Sequence, residues 1–409
     1  MSQLKIIEDR IVGEKYKPGI EFTFKLAIPC IEQNEYALLV DHDGQNDANV
    51  KALIRLADEG KAPYCISLGV NPGRLQMSDG SFREMRMNSY DLFDREYGDF
   101  IVYELIPYIK EKYALRISES PDMHLISGGS SGGISAFVVA WFHSDYFHKV
   151  YMSSPSFLAM GRGNEIPYLI RKFETKPLKI YEEWSETEPN DYFGWSRAID
   201  EEAHAALLFA KYDFKCKYFP NEGHCSRYKS EDDAYARMEW LFEAPVFYGH
   251  SKRVERVIKR DSRWSPCEEF PKNRTELSVR SNDGIALYLG SKDDDIIYMI
   301  PTGNMADAGK KLLHATLHTV PRINPKGAID MAVDKADRLY VLTSIGIQCV
   351  RSYGLIDVIL DLPDDSAPLG IAVFDALYVK TANGVYRREL QNVCTEESAE
   401  KRKFISYYD

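Results

Sequence analysis

The sequence predicts an α/β fold, with a largely parallel sheet in the first part of the chain and a small all-β domain after it. Four short apolar runs in the first part are strand-like, at residues 21–29, 36–41, 64–68 and 124–127. Stretches with helical spacing lie between such runs, and the clearest has an apolar face of Ile101, Leu105, Ile106 and Ile109. Strands that alternate with helices favour a parallel sheet with helices on both faces.

The domain boundaries follow from changes in composition. Residues 1–248 carry the alternating pattern and are predicted to form the first domain. Residues 249–274 are charged, contain two prolines and show no clear period, which indicates a linker. Residues 275–392 are predicted to form the all-β domain, and the highly charged residues 393–409 are predicted to be a solvated tail.

An internal repeat lies within the all-β region. The triplet Leu339-Tyr340-Val341 recurs as Leu377-Tyr378-Val379, and similar apolar pairs and glycines flank both copies. A period near 40 residues with short strands is typical of propeller blades, so the region is predicted to be propeller-blade-like. The alternative interpretation is two unrelated hairpins that share these three residues.

The net charge of −11 gives no electrostatic reason to bind nucleic acid or anionic lipid. The N-terminal residues do not resemble a signal peptide, and no apolar run is long enough to span a bilayer. The seven cysteines are scattered, odd in number and without a C-x-x-C pair. We therefore expect reduced thiols in a cytoplasmic protein, with no metal site and no cofactor.

The most informative segment is HLISGGSSGGISAF, at residues 124–137. A strand-like run enters a G-x-S-x-G turn and leaves it as an apolar helix, which is the nucleophile elbow of the α/β-hydrolase fold. Ser130 is the preferred nucleophile because Gly133 follows the motif as a second glycine, although Ser131 also fits the pattern. The alternative, a phosphate-binding loop, would need a Gly-Lys-Ser/Thr sequence, and no lysine lies nearby.

The order of a triad in this fold is serine, acid and histidine. His224 follows a late strand-like run, DFKCKY, and is the predicted base. The acid is expected in the loop after the preceding strand, where Glu188 and Asp191 are both candidates.

The oxyanion hole of this fold takes two backbone N–H groups. The first is predicted to come from Ser131, directly after the nucleophile. The second is expected from Gln45 or Gly44, in the loop after an early strand.

Several motifs together resemble the enterochelin-esterase-like putative esterases, which are related to feruloyl and acetyl-xylan esterases. The resemblance covers about residues 20–245 and rests, in order, on Asp43-Gly44, Val70-Asn71-Pro72-Gly73, Arg86 with Tyr90 and Asp91, GGSSGG, Gly223-His224 and a closing helix at Asp232–Phe242. It implies hydrolysis of a small, carbohydrate-type or siderophore-type ester through an acyl-enzyme. It also implies substrate-binding roles for Arg86, Tyr90 and Asp43.

The sequence departs from that family in the acid loop. Relatives often have G-x-x-D, whereas this chain has Ser185-Glu186-Thr187-Glu188, so the resemblance makes the acid a glutamate. This change supports the alternative of a catalytically inactive hydrolase fold that only binds a ligand. The intact Ser130 and His224 favour an active esterase.

Residues 325–392 resemble the end of a gluconolactonase-like propeller. The position of that family's metal-ligand aspartate is occupied by Ile329, so we expect neither a metal site nor the third alternative, a sugar-lactone hydrolase. Two or three blades cannot close a propeller and leave strand edges to be covered. A homo-oligomer is one expected way to cover them.

Overall fold

The computed structural model describes residues 2–191, 194–272, 275–302, 309–320 and 324–391. The chain divides into two compact units. The first contains the residues up to 169 together with 175–249, and the second contains 170–174 together with the residues from 250 onward.

The first unit is built on a ten-stranded sheet. Its strands are β1 (Leu4–Val12), β2 (Ile20–Pro29), β3 (Ala37–His42), β4 (Cys65–Val70), β5 (Arg74–Gln76), β6 (Phe82–Glu84), β7 (His124–Gly129), β8 (Lys149–Ser153), β9 (Lys179–Thr187) and β12 (Asp213–Gly223). Their order is β12-β9-β8-β7-β3-β4-β2-β5-β6, with β1 also paired to β2. The pairs from β12 to β4 are parallel, and β1, β2, β5 and β6 make antiparallel pairs. A separate hairpin joins β10 (Asn190–Asp191) to β11 (Gly194–Trp195).

The helices of this unit cover the sheet. They are α1 (Asp47–Asp58), α2 (Arg86–Tyr90), α3 (Glu96–Phe100), α4 (Ile106–Lys112), α5 (Ser131–Phe142), α6 (Ile166–Ile170), α7 (Ser196–Ala210) and α8 (Glu231–Phe242). The connections β3–α1–β4 and β7–α5–β8 run in opposite directions across the sheet. Because such connections are right-handed, α1 and α5 lie on opposite faces. The predicted α/β sheet with helices on both faces is therefore confirmed.

The amphipathic stretch predicted from Ile101 to Ile109 is helical, and its four apolar side chains are fully buried. A π-helical turn, Ile101–Leu105, joins α3 to α4 within it. The turn ends just before Pro107, which has no N–H to donate to a carbonyl in the preceding turn, so the α-helical hydrogen-bond ladder is interrupted there.

The second unit is all-β apart from the short helix α9 (Lys252–Glu255). Its strands are β13 (Ser265–Cys267), β14 (Ser278–Arg280), β15 (Ala286–Leu289), β16 (Ile296–Pro301), β17 (Leu312–Thr316), β18 (Asp330–Val333), β19 (Leu339–Thr343), β20 (Gly346–Val350), β21 (Ile356–Leu360), β22 (Pro368–Val373), β23 (Leu377–Thr381) and β24 (Val385–Arg388). They form three four-stranded sheets, β14-β15-β16-β17, β18-β19-β20-β21 and β13-β24-β23-β22. The repeated Leu-Tyr-Val triplets begin β19 and β23, and each of these strands pairs with the strand before it and the strand after it in the chain.

The stretch 249–274 was interpreted from sequence as a linker, and from residue 250 onward it belongs to the second unit. Val254, Val257 and Ile258 are buried in its core, and β13 pairs with β24. These three apolar residues lie within the charged run KRVERVIKR, so the composition of the segment does not reveal them. The predicted tail at 393–409 lies outside the described residues.

A segment from the middle of the chain also belongs to the second unit. Phe173 forms a β-bridge with Ile359, and both oxygens of Glu174 accept hydrogen bonds of 2.7 Å from Arg388. Within the described ranges, no helix combines the length and the apolar character needed to cross a membrane.

Candidate active site

The candidate site lies where the carboxyl ends of five parallel strands meet. Ser130 follows β7, Glu188 follows β9 and His224 follows β12. Asp43 and Ser154 lie just beyond the ends of β3 and β8. The same edge of a parallel sheet therefore receives all five side chains, which is the usual position of ligand sites in open α/β sheets.

The turn at Ser130 is strained and depends on glycine. The backbone of Ser130 has φ 57° and ψ −127°, a conformation that residues other than glycine rarely adopt. A Cβ on Gly128 would lie 2.3 Å from the carbonyl oxygen of Gly132, and a Cβ on Gly132 would lie 3.1 Å from the Cβ of His42. The two glycines thus allow strand, turn and helix to approach closely, which exposes the serine hydroxyl at the sheet edge.

The three predicted side chains form one line of hydrogen bonds. His224 Nε2 lies 2.9 Å from Ser130 Oγ, and His224 Nδ1 lies 2.6 Å from Glu188 Oε2. The side chain of Ser131 is buried on α5 instead. Asp191 forms backbone pairs in β10, but its side chain lies outside the described residues.

A serine that sequence reasoning missed holds the glutamate. Glu188 Oε1 accepts hydrogen bonds from Ser154 Oγ at 2.6 Å and from the N–H of Ser185 at 3.0 Å. Ser154 Oγ in turn accepts the N–H of Cys225, the residue after the histidine, at 3.0 Å. Ser154 therefore ties the acid loop to the base loop. The available signal was a serine-rich SSPS stretch at the end of an apolar strand, but serine in a loop is too common to be specific.

The electrostatics of Glu188 and His224 favour an ion pair. Burial by itself would raise the pKa of Glu188, but the hydrogen bonds from His224, Ser154 and Ser185 outweigh it, so that this pKa is lowered. The neighbouring Cys225 side chain and the Glu188 carboxylate raise the pKa of His224 to about 10 against the effect of burial. The glutamate therefore stabilises the imidazolium that forms when the histidine takes a proton.

The predicted oxyanion donors differ in their availability. The N–H of Ser131 occupies the first position of α5, where a helix offers no acceptor. The N–H of Gly44 already donates to the carbonyl of Val70 at 3.0 Å, so Gly44 does not supply the second donor. The backbone of Gln45 packs against Gly69. A Cβ placed on Gly69 would lie 2.2 Å from the backbone nitrogen of Gln45. Gln45 is the remaining candidate for the second donor.

A model of the putative esterase family matches residues 20–307, about 70% of the chain. The chain belongs to the putative esterase family. The resemblance inferred from the motifs is thereby confirmed, and membership supports carboxylic ester hydrolase activity. The match continues past residue 249 into the second unit.

Solved structures similar to this esterase include three hydrolases. A ferulic acid esterase is 17% identical, with 59% of this chain and 98% of that chain covered and a TM-score of 0.44. The enterobactin esterase of Shigella flexneri is 16% identical, with 59% and 61% covered and a TM-score of 0.43. A siderophore hydrolase from Aspergillus nidulans is 16% identical, with 60% and 97% covered and a TM-score of 0.44. The match thus spans about three fifths of the enterobactin esterase chain. No curated protein sequence matches this esterase.

The residues expected to bind substrate in this esterase lie beside the elbow. Arg86 donates two hydrogen bonds to Asp43, Nε to Oδ1 at 2.9 Å and Nη2 to Oδ2 at 2.7 Å. Both side chains remain about one third exposed. Tyr90 is different, because it is buried and its hydroxyl accepts the N–H of Asp43 at 3.0 Å. Tyr90 therefore supports the turn that carries Asp43, and the substrate-binding role expected for it does not fit its burial.

Metal ligands were not expected in this esterase. Across the part of the chain that the structure describes, no group of three or more His, Cys, Asp or Glu side chains is arranged to hold a metal ion.

Proposed function

We propose that the chain is a serine carboxylic ester hydrolase that works through an acyl-enzyme on Ser130. The observation that carries this proposal is the continuous line of hydrogen bonds from Glu188 through His224 to Ser130 Oγ. A nucleophile, a base and an orienting carboxylate in hydrogen-bond contact are the arrangement that activates a serine hydroxyl.

The geometry supports two chemical steps. In the first, the proton of Ser130 Oγ passes to His224 Nε2 while Oγ bonds to the ester carbonyl carbon. The carbonyl oxygen becomes an oxyanion, which the N–H groups of Ser131 and Gln45 stabilise. The tetrahedral intermediate then breaks its bond to the alcohol oxygen, and that oxygen takes the proton from His224. In the second step water attacks the acyl group by the same route and restores Ser130.

The substrate is proposed to be a small ester of a carbohydrate or siderophore type, as the motif resemblance implies. Arg86 and Asp43 are the side chains beside the elbow that we propose contact it, since both are partly exposed. A ligand with a hydroxyl or carboxyl group could share the hydrogen bonds of this ion pair. Tyr90 is left out of this set because it is buried.

The alternative of an inactive binding protein has less support. A fold that has lost catalysis has no need to keep an orienting glutamate, yet Glu188 receives hydrogen bonds from three separate groups. The changed acid loop that suggested this alternative thus supplies a carboxylate of suitable geometry.

The purified protein should hydrolyse members of a panel of p-nitrophenyl esters and acylated sugars. A fluorophosphonate probe should add to Ser130 and to no other residue, as determined by mass spectrometry of the peptides. Absence of both hydrolysis and labelling in folded protein would favour the binding alternative.

A further inference from the structure

The nucleophile has a second hydroxyl beside it. Ser156 Oγ lies 2.8 Å from Ser130 Oγ, which also lies 2.9 Å from His224 Nε2. Ser156 was not predicted from the sequence and does not belong to the line that runs from Glu188 to Ser130. Its side chain is only partly buried.

Backbone contacts hold Ser156 in this place. Its N–H donates to the carbonyl oxygen of Ser130 at 3.2 Å, and the N–H of Ser130 donates to the carbonyl oxygen of Ser153 at 2.9 Å. Pro155, which has a restricted φ and is buried, separates these anchors. The loop after β8 and the elbow after β7 are therefore bound to each other, and the two hydroxyls stay within hydrogen-bond reach.

The donor in the hydrogen bond between Ser130 and Ser156 follows from the protons that the neighbouring groups carry. The Glu188 carboxylate can only accept, so His224 Nδ1 carries a proton and donates it. In the neutral imidazole Nε2 then has no proton, and Ser130 donates its one proton there. Ser130 has no proton left for Ser156, so in the reactive state Ser156 is the donor to Ser130 Oγ.

We propose that Ser156 is a fourth catalytic residue, whose hydroxyl donates a hydrogen bond to Ser130 Oγ while that oxygen carries negative charge. The proposal rests on the proposed function. When the Ser130 proton moves to His224 and Oγ begins to bond to the carbonyl carbon, the Ser156 hydrogen bond becomes charge-assisted and strengthens. When the acyl bond to Oγ breaks in the second step, Oγ is the leaving group. The same hydroxyl then stabilises it until it recovers its proton from His224.

This role predicts an effect on rate and not on affinity. Ser156→Ala should lower kcat, and the rate of fluorophosphonate labelling at Ser130, by roughly 10- to 100-fold, the range for a hydrogen bond to a charged group. KM should change little, because the charge on Oγ is present only in the transition states. The loss should be similar for esters that differ in their acyl and alcohol groups, since the contact is to the enzyme's own oxygen.

Two further variants control for folding and for the hydroxyl itself. Ser156→Thr keeps a hydroxyl at this position and should recover most of the rate. Ser78→Ala removes an exposed serine from a distant turn and should behave as the unaltered protein. Thermal unfolding of all three variants shows whether a lost rate reflects lost structure.

The outcomes separate this inference from the proposed function. If the unaltered protein neither labels at Ser130 nor hydrolyses esters, the proposed function fails first. If it labels and Ser156→Ala labels at the same rate, the inference about Ser156 is overturned and the proposed function stands. A change confined to KM, or one that appears with only some substrates, would also overturn it, because it would make Ser156 a substrate contact.

Discussion

Two buried glutamates, Glu188 in the first unit and Glu174 in the second, are similarly hydrogen-bonded but face different basic side chains. Both accept hydrogen bonds with both carboxylate oxygens, and in both the pKa is lowered because hydrogen bonds and opposite charge outweigh burial. Glu174 faces the guanidinium of Arg388, which keeps its protons at any ordinary pH. Glu188 faces the imidazole of His224, which can take up and release one.

The comparison teaches that the partner, and not the number of hydrogen bonds, indicates what a buried carboxylate does. Beyond Arg388 the contacts of Glu174 lead to further structure, since the same guanidinium also donates to the carbonyl of Ser262. Beyond His224 the contacts of Glu188 lead to Ser130, whose hydroxyl is partly exposed. We therefore infer a structural ion pair in the second unit and a proton path in the first.

The largest effect is expected when the hydroxyl of Ser130, at the end of the proton path, is removed. Ser130→Ala should lower kcat by about 10⁴-fold or more while the unfolding temperature stays nearly unchanged, because only a hydroxyl is lost. Ester hydrolysis and thermal unfolding would be measured on the same preparations. Labelling that persists in Ser130→Ala and disappears in Ser131→Ala would move the nucleophile to the other frame of the motif.

The next largest effect is expected when the negative charge of Glu188, which orients His224, is removed. Glu188→Gln should lower kcat by roughly 10²- to 10⁴-fold with a smaller change in KM, because the amide no longer stabilises the imidazolium. It should also lower the pKa of His224, which is raised in part by this carboxylate. Full activity in Glu188→Gln together with its loss in Asp191→Asn would transfer the role of the acid to Asp191.

The corresponding change in the second unit should act on stability. Arg388→Met leaves the Glu174 charge buried without its guanidinium partner, which should cost about 3–5 kcal/mol in the free energy of unfolding. Arg387→Met is the matched control, because Arg387 pairs with Asp375 and both side chains are much more exposed. It should cost about 1 kcal/mol or less in urea denaturation. An equal decrease in the free energy of unfolding in the two variants would show that the buried ion pair stabilises the fold no more than the exposed one.

The two glutamates should also differ in how their surroundings respond to pH. Only the neutral form of His224 can accept the serine proton, so kcat/KM should increase as pH rises through the raised pKa of about 10. The same raised pKa stabilises the folded state fully below about pH 6.5, and that contribution disappears as pH rises through about 10. The Glu174–Arg388 pair should contribute no change over this interval. A kcat/KM that is flat from pH 7 to pH 10 would contradict the role given to His224.

The sequence allowed a single residue to be named where a motif next to a strand defines the position. Ser130 lies between glycines that the turn requires, and His224 follows the last parallel strand. Glu188 could be named only together with Asp191, since a loop carboxylate carries no pattern of its own. Ser154 and Ser156 were missed because their roles depend on contacts with loops 71 and 26 residues away along the chain.

The organisation of the second unit was harder to predict for the same reason. Strand β13 has three residues within a charged stretch, and its pairing with β24 joins positions more than 100 residues apart. The contribution of residues 170–174 depends on partners near the end of the described chain. Periodicity reports local structure, and neither of these pairings is local.

The pairing of Glu174 with Arg388 has a consequence for synthesis on the ribosome. The two residues are separated by 214 positions. At roughly 5–20 residues per second, the glutamate emerges about 10–40 seconds before the arginine that will neutralise it. During that interval Glu174 lacks its counter-charge, and for most of it Phe173 also lacks its strand neighbour Ile359. This segment can therefore complete its contacts only after the last strands of the second unit have been synthesised.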